Sequence, residues 1–208
     1  MSNALIALLA VLMAYLLGSV PFAVVCSRFF GLADPRSYGS KNPGATNVLR
    51  SGNKAAAATT LFGDMAKGWL AVFLAQTYGP DYGFEESFVG FVALAVFFGH
   101  LYPIFLKFKG GKGVATAAGV LLAIDPRLGL AIFASWLLIA TLLRYSSLAA
   151  LVSAAAAPLF AFFLWGSDVR LLAVGIIAMA LIGKHWQNLQ RLMAGTEPKI
   201  GAGKRSAR

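Results

Sequence analysis

The sequence is poor in charged residues and in the side chains that bind metals. Only 12% of its 208 residues are charged, whereas a soluble domain has about 25%. Eight residues are acidic, two are histidine, and the single cysteine, Cys26, cannot form an intramolecular disulfide. With no clustered carboxylates, thiols or imidazoles, the sequence gives no basis for a metal site or another cofactor, and we expect none.

The uncharged stretches are long enough to cross a membrane. Residues 1–27 include no Asp, Glu, Lys or Arg. About 20 apolar residues span a bilayer as a helix, and the runs here are continuous rather than alternating as in a β-barrel. The sequence therefore predicts an all-α integral membrane protein. No basic segment precedes the first run, so we expect a retained helix rather than a cleaved signal peptide.

Seven hydrophobic runs divide the chain, and we predict seven transmembrane helices. The fourth and fifth runs could instead form one re-entrant pair, which leaves five spans as the alternative. No soluble domain or repeat interrupts the pattern, so residues 1–208 are expected to form a single polytopic membrane domain with a short basic C-terminal tail. The runs are 4–25, 55–78, 87–106, 114–124, 128–143, 148–165 and 171–186.

The cations predict an orientation for these helices. Of the 18 Lys and Arg residues, all but Lys67, Arg127 and Arg170 lie in alternate loops and in the C-terminal tail. Cytoplasmic loops are enriched in Lys and Arg, so we predict an outside N-terminus and a cytoplasmic C-terminus, which both seven and five spans satisfy. In a soluble protein the net charge of +10 would suggest nucleic acid. Beside membrane spans it indicates topology and anionic ligands, and we expect no nucleic-acid partner.

Four polar segments lie on the predicted cytoplasmic side. They are GSKNPGATNVLR (39–50), KFKGGKGVAT (107–116), RYSS (144–147) and KHWQNLQRLMAGTEPKI (184–200). Because they share one membrane face, helix packing can bring them together into one site.

The first two segments have the chemistry of an anion site. The first offers glycines that let a ligand approach the backbone, neutral polar side chains and the forked cation of Arg50. The second, KGGKG, combines a glycine-rich turn, Lys112 and a predicted helix N-terminus at about Gly113. It is not a Walker loop, because Lys112 is followed by glycine rather than by Ser or Thr.

The remaining polar residues have different predicted roles. His185 and Asn188 are three residues apart, so both would project from one helix face, and they are candidates for the site. His100 is expected to be a packed or interfacial histidine. Asp64 and Lys67 are expected to compensate each other inside the membrane.

Cations, hydroxyls and amides with few carboxylates suit a phosphorylated substrate, and a site at a membrane can admit a lipid chain. Phosphoryl or acyl transfer is therefore the expected reaction class. The alternative is a small transporter of an anionic metabolite, which would also use intramembrane charges. The polar segments on one side only, and the lack of a pair of broken mid-membrane helices, argue against it.

Five segments closely resemble the bacterial membrane glycerol-3-phosphate acyltransferases that use acyl-phosphate donors. They are GSKNPGATNVLR, GDMAKG, GHLYPIFLKFKGGKGVAT, RYSSLA and KHWQNLQRLMAGTE. The resemblance implies a seven-helix protein of the bacterial inner (plasma) membrane with a cytoplasmic active site. It implies acyl transfer from acyl phosphate to the 1-position of sn-glycerol 3-phosphate, giving 1-acylglycerol 3-phosphate (lysophosphatidic acid) and phosphate in phospholipid biosynthesis. The implied partners are both substrates, membrane lipids and the enzyme that supplies acyl phosphate.

The resemblance also assigns roles to individual residues. It implies catalytic roles for Ser40, Lys112, Ser147, His185 and Asn188. It implies substrate binding by Asn42, Gly44, Thr46, Asn47, Arg50, Gly110, Gly111 and Gly113. The sequence departs from the family at Lys41, where glycine is common, and at Trp186 and Gln187, where Arg and Glu are common. No role is assigned to Trp186 or Gln187.

The identity of the general base stays open between two candidates. The His-x-x-x-x-Asp motif of other glycerolipid acyltransferases is absent, since Phe105 and Gln190 occupy the fifth position after the two histidines. Either His185 takes the proton or a phosphate oxygen of the donor does, and we favour the phosphate. A donor such as acyl-CoA or acyl carrier protein is disfavoured by the resemblance alone.

Overall fold

The computed structural model describes residues 2–201, and within that range it has ten α-helices and no β-strand. The all-α prediction is confirmed for these residues. The helices are α1 Asn3–Ser19, α2 Phe22–Phe29, α3 Ala45–Val48, α4 Lys54–Tyr78, α5 Glu86–Leu101, α6 Val114–Ile124, α7 Pro126–Leu143, α8 Ser146–Trp165, α9 Arg170–Lys184 and α10 Trp186–Met193. Short 3-10 turns occupy Leu49–Ser51, Pro80–Tyr82 and Ile104–Leu106.

Several helices have the length and composition of membrane spans. Among the described residues, three stretches qualify individually: Glu86–Leu106, Pro126–Leu143 and Ser146–Trp165. The pair α1 and α2 makes a fourth if it counts as one span. Helix α6, with 11 residues, is about 16 Å long, roughly half of a bilayer core. These helices agree with the predicted integral membrane class. The count of seven spans and the orientation of the chain stay predictions.

The first hydrophobic run is not one helix, which corrects the prediction for residues 4–25. Val20 and Pro21 separate α1 from α2, and the two axes differ by 44°. Proline has no N–H to donate to the preceding turn, so the helix ends there. Lys67 of α4 donates to the carbonyl of Val20 at 2.7 Å and so satisfies an acceptor near the break.

Glycines let the central helices approach each other closely. A Cβ on Gly18 of α1 would overlap the backbone carbonyl of Val96 on α5, and a Cβ on Gly119 of α6 would overlap that of Met65 on α4. Lipid tails are as apolar as Leu, so close packing through small residues is a main source of helix association in a membrane. These contacts pair α1 with α5 and α6 with α4.

A polar cluster closes the end of the bundle that lies away from the four polar segments. Asp125 caps α7 by accepting from the backbone N–H of Arg127 at 2.8 Å, and it also accepts from Trp165 Nε1 at 2.9 Å. This ties the α6–α7 turn to the end of α8. Helices α6 and α7 run in opposite directions along the bundle. Lys112, just before α6, and Ser147, just after α7, therefore lie at the same end of the bundle.

Candidate active site

Asn47 holds the conformation of the first polar segment through hydrogen bonds of its side chain. Its side-chain carbonyl accepts from the backbone N–H of Ser40 at 2.9 Å, and its amide donates to the carbonyls of Pro35 at 2.6 Å and Tyr38 at 3.2 Å. Only 2% of Asn47 is exposed. Gly39 lies at φ +57°, and a Cβ there would overlap the Asn47 carbonyl oxygen. The sequence predicted substrate binding by Asn47, and the structure shows it holding the loop.

The same loop leaves several polar groups at its surface. Ser40, Thr46 and Arg50 are exposed, and Asn42 is half-buried, with its amide nitrogen 3.0 Å from where a Cβ on Gly44 would lie. The Thr46 hydroxyl lies 3.3 Å from the hydroxyl of Ser146 at the start of α8, within hydrogen-bond range. The first segment therefore meets the third.

Lys41 has a backbone conformation that explains why glycine is common there. Its φ is +56°, in the left-handed region where glycine is unstrained. The side chain is exposed. The departure from the family pattern therefore affects the backbone of the loop more than its polar groups.

The glycine-rich segment folds back over the end of α5. The N–H groups of Gly110 and Gly111 lie 3.3 Å and 3.2 Å from the carbonyls of Leu101 and His100, to which they donate. Gly113 has φ +83°, and a Cβ there would overlap Phe97, so only glycine fits. Helix α6 begins at the next residue, which places its N-terminus beside Lys112 as the sequence predicted.

A hydrogen-bonded chain connects this loop to the last polar segment. Lys112 Nζ donates to the side-chain carbonyl of Asn188, and the Asn188 amide donates to Glu197 Oε1 at 2.6 Å. The Ser147 hydroxyl donates to the same oxygen at 2.6 Å, and Arg191 Nε donates to Glu197 Oε2 at 2.7 Å. Glu197 is only 9% exposed. The predicted convergence of the four polar segments is thus confirmed.

Glu197 is the residue that the sequence analysis missed. It lies inside the last polar segment, but neither its spacing nor its neighbours indicated a contact with Ser147, which is 50 residues away. The available signal was its rarity: the chain has only eight acidic residues, and this one follows a helix that contains Arg191.

The cluster sets the charge of its members. The pKa of Lys112 is lowered to about 8, mainly by burial; the charge of Glu197 opposes the shift, and the charges of Arg191 and Arg50 contribute to it. Burial raises the pKa of Glu197, but hydrogen bonds from Ser147, Asn188 and Arg191 outweigh it, so this pKa is lowered overall. One carboxylate thus stands among three cations, and the surplus is positive.

His185 is neutral and a weak base. Its Nδ1 lies 2.8 Å from the carbonyl of Leu181, and since a carbonyl can only accept, Nδ1 carries the hydrogen and Nε2 has the free lone pair. Burial lowers the pKa of His185 to about 4, with a further contribution from the charge of Lys112. Trp186 and Gln187, its neighbours, are exposed.

The donor atoms of the site suit an anion rather than a metal ion. Guanidinium, ammonium, hydroxyl and amide groups face one another around a glycine-rich loop. Over residues 2–201 the structure contains no group of three or more His, Cys, Asp or Glu side chains placed to hold a metal.

The fold is that of a helical membrane protein, and the site lies at one end of its bundle. These two features define a membrane protein whose site suits phosphorylated substrates. A family model described as glycerol-3-phosphate acyltransferase matches residues 8–195. The glycerol-3-phosphate acyltransferases of Dechloromonas aromatica and Cupriavidus necator are 65% and 60% identical to this chain over 198 residues, which is 95% of it and 98% of each relative. The chain belongs to the glycerol-3-phosphate acyltransferase family.

Two solved structures share the fold. One is PlsY (YgiH), described as an integral membrane glycerol 3-phosphate acyltransferase in its glycerol 3-phosphate form, with a TM-score of 0.87 and 39% identity. The other is the lysophosphatidic acid form of PlsY, with a TM-score of 0.84 and 38% identity. Both matches cover 94% of this chain and 96% of the solved one.

Glu197→Gln tests the central carboxylate. Glutamine retains the shape but loses the charge that faces Arg191, so we expect the free energy of unfolding to fall by about 1–3 kcal/mol. Thermal unfolding of the detergent-purified protein measures the loss. The control is Glu86→Gln, because Glu86 is largely exposed and lies 3.4 Å from Arg170. Equal melting temperatures for both variants would contradict a central role for Glu197.

Proposed function

We propose that this protein transfers an acyl chain from acyl phosphate to the 1-hydroxyl of sn-glycerol 3-phosphate, giving 1-acylglycerol 3-phosphate and inorganic phosphate. The observation that carries the proposal is the cationic cluster around the glycine-rich loop, with Lys112 held by Asn188 and with Arg50 and Arg191 contributing charge. Membership of an acyltransferase family sets the transporter alternative aside.

The site lies on the cytoplasmic side of the bacterial inner membrane in this proposal. The chain is a single polytopic domain of seven spans with an outside N-terminus. Two observations support the arrangement: the four polar segments meet at one end of the bundle, and most Lys and Arg residues lie in those segments and in the C-terminal tail.

Both substrates carry phosphate, so the first task of the site is to hold two anions close together. Lys112 and the N-terminus of α6, which begins where the glycine-rich turn ends, form the cradle for glycerol 3-phosphate. Arg50, beside the exposed Ser40 and Thr46, holds the phosphate of the donor. Placing the hydroxyl next to the acyl carbon in this way supplies much of the rate enhancement.

The chemical step exchanges one C–O bond for another. The 1-hydroxyl oxygen of glycerol 3-phosphate attacks the acyl carbon, and the bond from that carbon to the phosphate oxygen breaks. Charge that develops on the acyl oxygen is stabilised by a hydroxyl donor such as that of the exposed Ser40. The proton of the hydroxyl passes to a phosphate oxygen of the donor, which leaves as inorganic phosphate.

The donor phosphate is the better base because His185 is a weak one. With a pKa of about 4, its Nε2 has little tendency to take a proton at neutral pH. His185, Ser147 and Asn188 then orient the substrates and Lys112 rather than move the proton. In this scheme the reaction needs no metal ion and no organic cofactor.

The function is tested by giving the purified protein sn-glycerol 3-phosphate with palmitoyl phosphate, palmitoyl-CoA or palmitoyl carrier protein in separate reactions. We expect lysophosphatidic acid and released phosphate from palmitoyl phosphate alone. Lys112→Ala should reduce kcat/KM for glycerol 3-phosphate by at least about 100-fold, because a charge-assisted contact with phosphate is lost. Lys107→Ala removes an exposed lysine a few residues earlier and should leave the rate within about threefold.

Each remaining outcome of this assay has a defined meaning. Product from a thioester donor would overturn the assignment of acyl phosphate as the donor, and the assignment of glycerol 3-phosphate as the acceptor would stand. No product from any donor, with well-folded protein, would overturn the proposed reaction.

The lowered pKa of Lys112 predicts an alkaline limit to substrate capture. Above about pH 8 the free protein loses the ammonium charge, so kcat/KM for glycerol 3-phosphate should fall as the pH rises through that value. Lys112→Arg keeps its charge and should remove the decline, and Lys107→Arg should not. A decline that persists in Lys112→Arg would assign the titration to another group.

His185→Ala distinguishes the two candidate bases. If the donor phosphate takes the proton, kcat should fall by less than about tenfold, whereas loss of a general base costs roughly 100-fold or more. Steady-state kinetics at saturating substrates, followed across pH, measure the difference. A large loss of kcat with an altered pH profile would make His185 the base.

A further inference from the structure

A buried polar cluster lies directly behind the glycine-rich loop. Asp64 and Lys67 of α4 and His100 of α5 are 2%, 3% and 8% exposed. The Lys67 ammonium lies 2.8 Å from Asp64 Oδ1, which confirms the predicted pair, and His100 Nδ1 lies 3.4 Å from the same oxygen. The predicted packed or interfacial histidine therefore lies against a buried ion pair.

The His100 ring connects this cluster to the loop. One ring nitrogen, Nδ1, faces Asp64, and the other, Nε2, faces the backbone of Gly111 so closely that a Cβ on Gly111 would overlap it. The same Cβ would lie 3.1 Å from the carbonyl oxygen of Pro43 in the first polar segment. Gly111 thus lies between the imidazole and the first loop.

Lys67 balances the charge and anchors the cluster. It neutralises Asp64, and it donates to the Val20 carbonyl at the α1–α2 bend. Burying an ion pair beside an imidazole costs desolvation free energy, which apolar residues of the same volume would avoid. Ionisable groups inside membrane proteins face the bundle interior and tend to serve function.

We propose that Asp64 and His100 are positioning residues for glycerol 3-phosphate binding. Asp64 fixes the orientation of the imidazole, and the imidazole supports Gly111 from behind. The adjacent Lys112 ammonium is then held where the phosphate arrives. Neither residue touches the substrate, and the inference rests on the proposed function.

Two substitutions of His100 separate support of the loop from packing of the helices. Asparagine places its amide near the position of Nδ1, so it keeps the contact with Asp64 but leaves Gly111 unsupported. Glutamine reaches the position of Nε2 and restores that support. We expect His100→Asn to raise KM for glycerol 3-phosphate about tenfold, with kcat and the donor KM within about threefold, and His100→Gln to retain a near-normal KM.

The matched control is Asp125→Asn at the other end of the bundle. It alters another buried polar side chain that has several partners, but Asp125 lies away from the loop. It should lower the melting temperature and leave KM for glycerol 3-phosphate unchanged. If Asp125→Asn raises KM as much as His100→Asn does, or if KM stays normal in folded His100→Asn, the positioning role is overturned.

The loop side gives a second test that leaves the cluster intact. Gly111→Ala puts a methyl group against the His100 ring and should raise KM for glycerol 3-phosphate, whereas Gly175→Ala meets no atom within 4 Å and should not. An unchanged KM in Gly111→Ala would overturn the proposal even if no histidine variant folds. Absence of product from the wild-type protein would instead overturn the proposed function.

Discussion

The site depends on one buried carboxylate. Glu197 accepts hydrogen bonds from Ser147, Asn188 and Arg191, which come from the start of α8 and from α10. A buried carboxylate is stable only when its oxygens are paired, and here each oxygen has a donor. The need to satisfy Glu197 therefore fixes the segment after α10 against α8. Through Asn188, it also fixes the position of Lys112.

An amide rather than a carboxylate holds Lys112, the lysine that we propose to bind the substrate phosphate. Lys112 donates to the neutral carbonyl of Asn188, and Glu197 forms its ion pair with Arg191. A direct pair between Lys112 and Glu197 would compete with an incoming phosphate. The relay through Asn188 orients the ammonium without neutralising it, so its charge remains available to an anion.

Rigid packing below the site gives these contacts a fixed base. Gly18 and Gly119 allow α1, α4, α5 and α6 to touch backbone to backbone. At the far end, Asp125 ties the α6–α7 turn to α8. The clusters around Glu197 and Asp125 secure the two ends of the bundle. The short helix α6 between them therefore holds Lys112 at a fixed position along the bundle axis. The glycine-rich loop then needs only local support, which the imidazole of His100 provides.

Much of this protein could be predicted from local properties of the sequence. Long uncharged runs determine helices in a membrane, because only helices satisfy their own backbone there. Glycines near Lys112 and Arg50 led to the prediction of an anion site, since that chemistry is contained within a few residues. The break at Pro21 escaped the prediction because composition alone merged two apolar helices into one run.

Partners that are distant in sequence could not be predicted in the same way. Ser147 and Glu197 are 50 residues apart, and Lys112 and Asn188 are 76 apart. Which carboxylate meets which hydroxyl depends on how helices pack, and no short pattern encodes that. The sequence by itself therefore determined the membrane helices and the chemistry of the loops. Only the tertiary structure decided that Glu197 joins them, that Asn47 serves its own loop and that His100 supports Gly111.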